Sequence, residues 1–96
     1  MRRLEWHPTA RQDLLTIIEY IAEENPDAAQ RLKDDIEAKA ALLPEHPQLY
    51  RTGRVEGTRE MVVRLNYIAV YMVDSEAVTI LRILHGAQQW PPITSA

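Results

Sequence analysis

Asn25-Pro26-Asp27 stands between two stretches of helical periodicity, and no other feature narrows the fold of this chain so far. Upstream, Ala10, Leu14, Ile17, Ile18 and Ile21 recur at the spacing of one helix face. Downstream, Ala29, Leu32, Ile36, Ala40 and Leu43 keep the same period, while Arg31, Lys33, Asp34, Asp35, Glu37 and Lys39 fill the other faces as a solvated surface. Proline is tolerated in the first helical turn, asparagine caps it, and aspartate favours the positive end of the helix dipole. The tripeptide therefore stops one helix and starts the next. A joint this short makes the pair an antiparallel hairpin packed through its apolar stripes.

The rest of the chain supplies a sheet. Arg3-Leu4-Glu5-Trp6 alternates polar with apolar, the period of a strand with one face on a core. Pro8 and Thr9 open the first helix, with Thr9 and Gln12 spaced as a capping box, and it ends near Glu24. Pro44 ends the second helix, and the prolines of Pro44–Tyr50 make that segment a loop. After Gly53 and Gly57 come three β-branched or aromatic runs, Arg59–Leu65, Tyr67–Val73 and Val78–His85. Asn66 and Asp74-Ser75-Glu76 separate them as the turns of a meander. The expected order is β-α-α-β-β-β: one α+β domain over residues 1–96, with the helical hairpin on one face of a small, mainly antiparallel sheet. The tail from Trp90 to Ala96 is expected to be extended, with Trp90 as its anchor.

Composition removes several kinds of chemistry. With 96 residues the chain builds one core. It has no cysteine, which excludes disulfides, thiolate metal sites and cysteine nucleophiles and fits a cytoplasmic protein. No apolar run is long enough for a signal peptide or a membrane span. His7, His46 and His85 lack metal-ligand spacing, and neither a glycine-rich phosphate loop nor a serine-nucleophile motif is present, so no metal or cofactor is expected. The formal net charge is -3, but it is uneven. All the basic residues beyond Tyr50 are arginines: Arg51, Arg54, Arg59, Arg64 and Arg82. That bias falls short of the clustered cations that neutralise many phosphates.

Of these arginines Arg59, Arg64 and Arg82, together with His85, are the candidate functional groups. Strand alternation puts Glu60, Val62 and Arg64 opposite Met61, Val63 and Leu65, which leaves Arg64 on the open sheet face. There it either binds a phosphate and stabilises the charge of RNA cleavage, or pairs with an acid. Alternation likewise places Arg82 and His85 on opposite faces unless a bulge intervenes. His85, at a strand end, has the ordinary pKa of a proton-transfer group. Arg59 is read either as an anion contact or as a charged strand edge that discourages sheet-to-sheet pairing. Tyr67 and Tyr71 are read as packing residues whose hydroxyls need partners.

Several segments in order carry a family resemblance: Ala10-Arg11-Gln12-Asp13-Leu14, Ile17-Ile18-Glu19-Tyr20-Ile21-Ala22, Asn25-Pro26-Asp27-Ala28-Ala29, Gly57-Thr58-Arg59-Glu60-Met61-Val62-Val63, Tyr67-Ile68-Ala69-Val70-Tyr71 and Ile83-Leu84-His85-Gly86-Ala87-Gln88-Gln89-Trp90. Together they resemble the RelE/ParE toxin superfamily, from about Arg3 to Trp90. The resemblance implies a toxin of a type II toxin-antitoxin pair, neutralised by a protein antitoxin that wraps it with a helix and an extended segment. RelE-like members cut messenger RNA in the ribosomal A site, whereas ParE-like members poison DNA gyrase.

The nuclease branch carries an arginine after the first aromatic of the motif matched by Tyr67–Tyr71, and this chain has Ile68. That branch also carries basic or aromatic groups after the last strand, and this chain has Gly86, Ala87, Gln88 and Gln89. A sequence pI near 5.5 also ill suits a protein that settles among ribosomal phosphates. The favoured expectation is thus a ParE-like, non-catalytic inhibitor of DNA gyrase, with Arg59, Arg64, His85 and Trp90 as target-binding candidates. The alternatives are a ribosome-dependent endoribonuclease using Arg59, Arg64, Arg82 and His85, and a non-toxic relative that keeps only its antitoxin.

Overall fold

The computed structural model describes residues 2–64 and 66–85 of the 96. Strand β1, Arg3–Trp6, runs into helix α1, Pro8–Ala22, through a cap that the capping-box reading misplaced by two residues. The cap is His7, whose Nδ1 accepts from the Thr9 backbone N–H at 3.1 Å. Pro8 follows in the first turn, where its missing N–H costs nothing. Gln12, rather than reaching back, donates to Thr16 Oγ1.

Helix α1 stops at Ala22, two residues earlier than expected. Asn25 precedes a proline and so takes an extended conformation, φ -149. From there its side chain accepts from the Ala28 N–H at 3.0 Å and opens α2, Pro26–Ala41. Asp27 in the first turn and Lys39 in the last complement the helix dipole. The helix ends three residues before Pro44, in a tightened turn closed by Leu42 N–H to Lys39 O and Leu43 N–H to Ala40 O.

Among the described residues the sheet has five strands, in the order β1-β5-β4-β3-β2. The long members are β3, Thr58–Arg64, β4, Tyr67–Val73, and β5, Ala77–His85, joined as an antiparallel meander. β1 lies parallel to β5, with Leu4 opposite Val78 and Trp6 opposite Ile80. The sequence order lacked one element: β2, Arg51–Thr52, which pairs with Glu60 and Arg59. β2, not β3, is therefore the outer strand beside Arg59, and the charged-edge role moves off that residue.

Two glycines make the β2–β3 connection. Gly57 has φ 84, a conformation side chains disfavour, in a turn closed by Thr58 N–H to Val55 O. A Cβ on Gly53 would sit 2.2 Å from Thr58 Oγ1, so that close approach excludes any side chain.

The core fills the space between the hairpin and one sheet face. Leu32, Ile36 and Ala40 of α2 and Leu43 meet Met61, Val63, Ala69, Tyr71, Val78, Ile80 and Ile83, all buried. Leu14, Ile17, Ile18 and Ile21 of α1 pack against them half-buried. Each large apolar side chain removed from water contributes roughly 1.5–3 kcal/mol. Burial pushes the Tyr71 phenol up, while the nearby Arg59 charge pulls it down less. Its hydroxyl stays protonated and donates to Pro47 O at 2.8 Å, fastening the 44–50 loop to β4.

Candidate functional site

Two bulges decide where the candidate side chains point. In β3, Val62 faces Ile68 and Arg64 faces Tyr67, so Val63 is the extra residue. In β5, Ile80 faces Tyr71 and Arg82 faces Val70, so Leu81 is the extra one. Neither run contains a glycine or proline to announce the break.

The first bulge overturns the expectation that Arg64 stands on the open face. It shares a cross-strand row with Tyr67, which packs against the helix-side core. Its guanidinium binds Asp35 of α2 through Nε and Nη2 to the same Oδ2, the Nε bond being 2.9 Å. Both side chains of this pair are nearly half exposed. Lys39 Nζ donates to the bulge carbonyl of Val63 at 2.8 Å, so α2 grips β3 at two neighbouring points.

The second bulge lets Val78, Ile80 and Ile83 share the core, which strict alternation had divided between two faces. Beyond it the pairing is regular, and Arg82 and His85 remain on opposite sides. β1 ends opposite Ile80, so among the described residues the outer edge of β5 has no strand partner beyond that point. Asp13 of α1 occupies it: its Oδ2 accepts from the Ile83 N–H at 3.0 Å and from Arg82 Nε at 2.7 Å, and Oδ1 accepts from Arg82 Nη2 at 3.2 Å. The Asp13 hydrogen bond raises the Arg82 pKa despite partial burial.

His85 stands at the end of β5, opposite Tyr67, with ring centroids 5.5 Å apart in an edge-to-face contact. Arg64, Tyr67 and His85 thus form one row across three strands. Tyr67, read as a core or cross-strand packing residue, packs against both the core and His85; what sequence reasoning missed was its place in this row. The tight turn at Asn66 contained the signal, because it sets residues 64 and 67 opposite one another.

Arg59 lies apart from this row. Its Nη1 donates to Tyr50 O at 2.8 Å, beside a cavity of about 220 Å³ lined by Thr52, Gly57, Thr58 and Val73. Trp90, and the Gly86–Gln89 stretch that weighed against the nuclease branch, lie outside the described residues.

Two further features stand outside the candidate residues: a buried carboxylate that went unnoticed in the sequence, and the groove expected beside the hairpin. Glu60 is 1% exposed and is the one buried carboxylate among the described residues. It accepts from Arg51 Nη2 at 3.0 Å, from the Arg54 N–H at 3.0 Å and from Arg54 Nε at 3.2 Å. Burial pushes its carboxyl up, but these donors together hold it below its ordinary value. The other feature is a groove of about 450 Å³ over the hairpin, with Trp6, Leu14, Leu15 and Ile18 as its apolar lining. Arg11 and the Lys33–Glu37 ion pair complete it.

A β-α-α-β-β-β-β chain with its helical hairpin laid on one sheet face is the architecture of the RelE/ParE toxin superfamily. Residues 4–90 match the family described as the ParE toxin of the type II toxin-antitoxin system parDE, and this chain belongs to that family. Y4kP of Sinorhizobium fredii is 38% identical over 93 residues, covering 96% of each chain. Toxin RelE2 of Caulobacter vibrioides is 35% identical over 88 residues, 92% of this chain and 99% of that one. Among solved structures, the chromosomal ParDE toxin-antitoxin system from P. aeruginosa superposes with a TM-score of 0.80 at 26% identity, covering 88% of this chain and 96% of its own. No helix among the described residues is long and apolar enough to cross a membrane.

Proposed function

We propose that this toxin acts as a non-catalytic poison of DNA gyrase and is held inactive by a cognate protein antitoxin. One observation carries the choice: Arg64 and Arg82, the cations a nuclease would aim at a scissile phosphate, are each bound by a helix carboxylate, Asp35 and Asp13. A guanidinium so paired has little charge left to offer a developing phosphorane. The acidic pI and family membership support the same reading. The hairpin groove suits the antitoxin, whose apolar side chains would cover Trp6, Leu14 and Leu15.

The row of Arg64, Tyr67 and His85 favours one other reading, ribosome-dependent RNA cleavage with His85 moving the proton. Two assays on the purified protein separate the readings: gyrase supercoiling, and translation of a defined message on ribosomes. Gyrase arrested on cleaved DNA with the message intact is the expected result. Message cleavage abolished by His85→Ala would overturn it. No effect in either assay, together with normal growth on expression, would identify a non-toxic relative.

A further inference from the structure

Glu60 is an expensive residue in its position. It pairs across β4 with Val70, which is fully buried, so an apolar side chain would fit there. Burying a carboxylate carries a large desolvation cost even when it is well paired, and exchanging such a cluster for apolar residues is often neutral or stabilising. The charge has a geometric effect instead. Glu60 holds Arg51 by its side chain and Arg54 by both side chain and backbone, from two separate points on the β2–β3 segment. Both arginine side chains remain about half exposed, at 56% and 47%. One buried carboxylate thus orients two solvent-facing guanidinium forks and neutralises one of their two charges.

The neighbouring surface says what such a fork fits. Strand parity before the Val63 bulge puts Val62 and Met72 on the same side of the sheet as Glu60, away from the hairpin core. They are 41% and 42% exposed. Guanidinium forks beside a methionine and a valine make a mixed surface typical of protein interfaces, where Arg and Met are enriched. A nucleic-acid backbone fits it poorly: it needs several cations in a row and is repelled at range by a chain of net charge -3. One or two carboxylates on an apolar protein surface match both the donors and the charge.

We propose that Arg51 and Arg54, oriented by Glu60 as a positioning residue, form a docking fork for an acidic, partly apolar segment of the protein this toxin attacks. The inference rests on the toxin reading above but not on gyrase being the target. It places target recognition on the sheet face away from the hairpin, separate from the antitoxin groove.

The test expresses three proteins in antitoxin-free cells: wild type, Arg51→Lys/Arg54→Lys, and Arg51→Ala/Arg54→Ala/Glu60→Met. The triple variant removes the fork without stranding a buried carboxylate. The lysine pair keeps the charge but loses the bidentate geometry. Calorimetric titration with the purified antitoxin checks that each variant is folded. The triple variant should raise cell survival by about ten-fold or more, a hot-spot-sized effect, with antitoxin affinity within about three-fold of wild type. The lysine pair should fall between.

Arrest as strong in both variants as in wild type would overturn the proposal. So would loss of antitoxin affinity in a variant that still melts cooperatively, because the fork would then face the antitoxin. Binding of a labelled single-stranded oligonucleotide by wild type, lost in the triple variant, would reassign the fork to phosphate. Growth unaffected by wild type would end the toxin reading and the proposal with it.

Discussion

Arg51 and Arg54 share a single carboxylate, whereas Arg64 and Arg82 each have one of their own. In the first region Glu60 is buried and both cations face solvent, so the cluster projects charge outward. In the second, a helix carboxylate neutralises each arginine: the Val63 bulge turns Arg64 to the helix side, where Asp35 binds it, while Arg82, opposite Val70 on the other face, meets Asp13 at the outer edge of β5. Equal numbers of arginines therefore do different work. One pair is presented to a partner, while the other fastens the hairpin to the sheet. Composition alone cannot tell these apart, because the same residue type is counted in both.

The largest effect should come from the fastening side. Arg82 and Asp13 are only 23% and 17% exposed, and Asp13 also satisfies the Ile83 N–H on the vacated edge of β5. Asp13→Ala leaves a part-buried guanidinium and a backbone donor without this acceptor, at a cost of about 3 kcal/mol. Urea unfolding measures it. A loss under about 1 kcal/mol would show that the clamp is as weak as an ordinary surface pair.

Glu60→Gln comes next, with a loss of about 2 kcal/mol at neutral pH, because the amide keeps one acceptor oxygen, turns an NH2 donor toward the remaining arginine donors and loses the charge attraction. Its pH dependence has a definite sign. The folded carboxyl titrates below the unfolded one, so Glu60 contributes fully above the ordinary carboxylate range, about pH 4, and loses that contribution as pH falls through its folded pKa. Wild type should lose stability on acidification more steeply than the variant, and the two curves should approach one another at low pH. Parallel curves would mean that the charge on Glu60 does not hold the fork.

Lys39→Met removes the 2.8 Å bond to the Val63 carbonyl but keeps the apolar stem, at a cost of about 1 kcal/mol. Chemical shifts or amide exchange at Val62–Arg64 should change more than those at Thr58–Glu60. The opposite pattern would mean that α2 does not hold the bulge.

The helices were legible because each has a full apolar stripe and local stop signals, and β4 matched its expected bounds, Tyr67–Val73. β2 was not, since Arg51–Thr52 is too short for any period to appear. The bulges were hidden for another reason. Val63 and Leu81 sit inside apolar runs; the demand that Ile80 and Ile83 reach the same core reveals Leu81, but Met61 and Val63 share a face under plain alternation, so β3 makes no such demand. Candidate residues inherited that error: Arg64 and His85 were singled out by type, but their shared row with Tyr67 depends on the bulged register. His7 escaped as a cap because histidine is not among the usual capping residues.

Asp35→Ala should be the mildest change to the fold and the sharpest probe of the contrast between presented and fastened arginines. Both partners are nearly half exposed, so the pair contributes about 0.5 kcal/mol or less, and thermal unfolding should barely move. Its effect on charge is larger, because Arg64 then stands beside Tyr67 and His85 without its carboxylate. If pairing is what separates this protein from a nuclease, the variant should begin to cleave ribosome-bound message, and His85→Ala in the same background should stop it. If it still cleaves nothing while gyrase remains poisoned, the missing chemistry lies in the other groups of the site, and Asp35 serves only to hold α2 against β3.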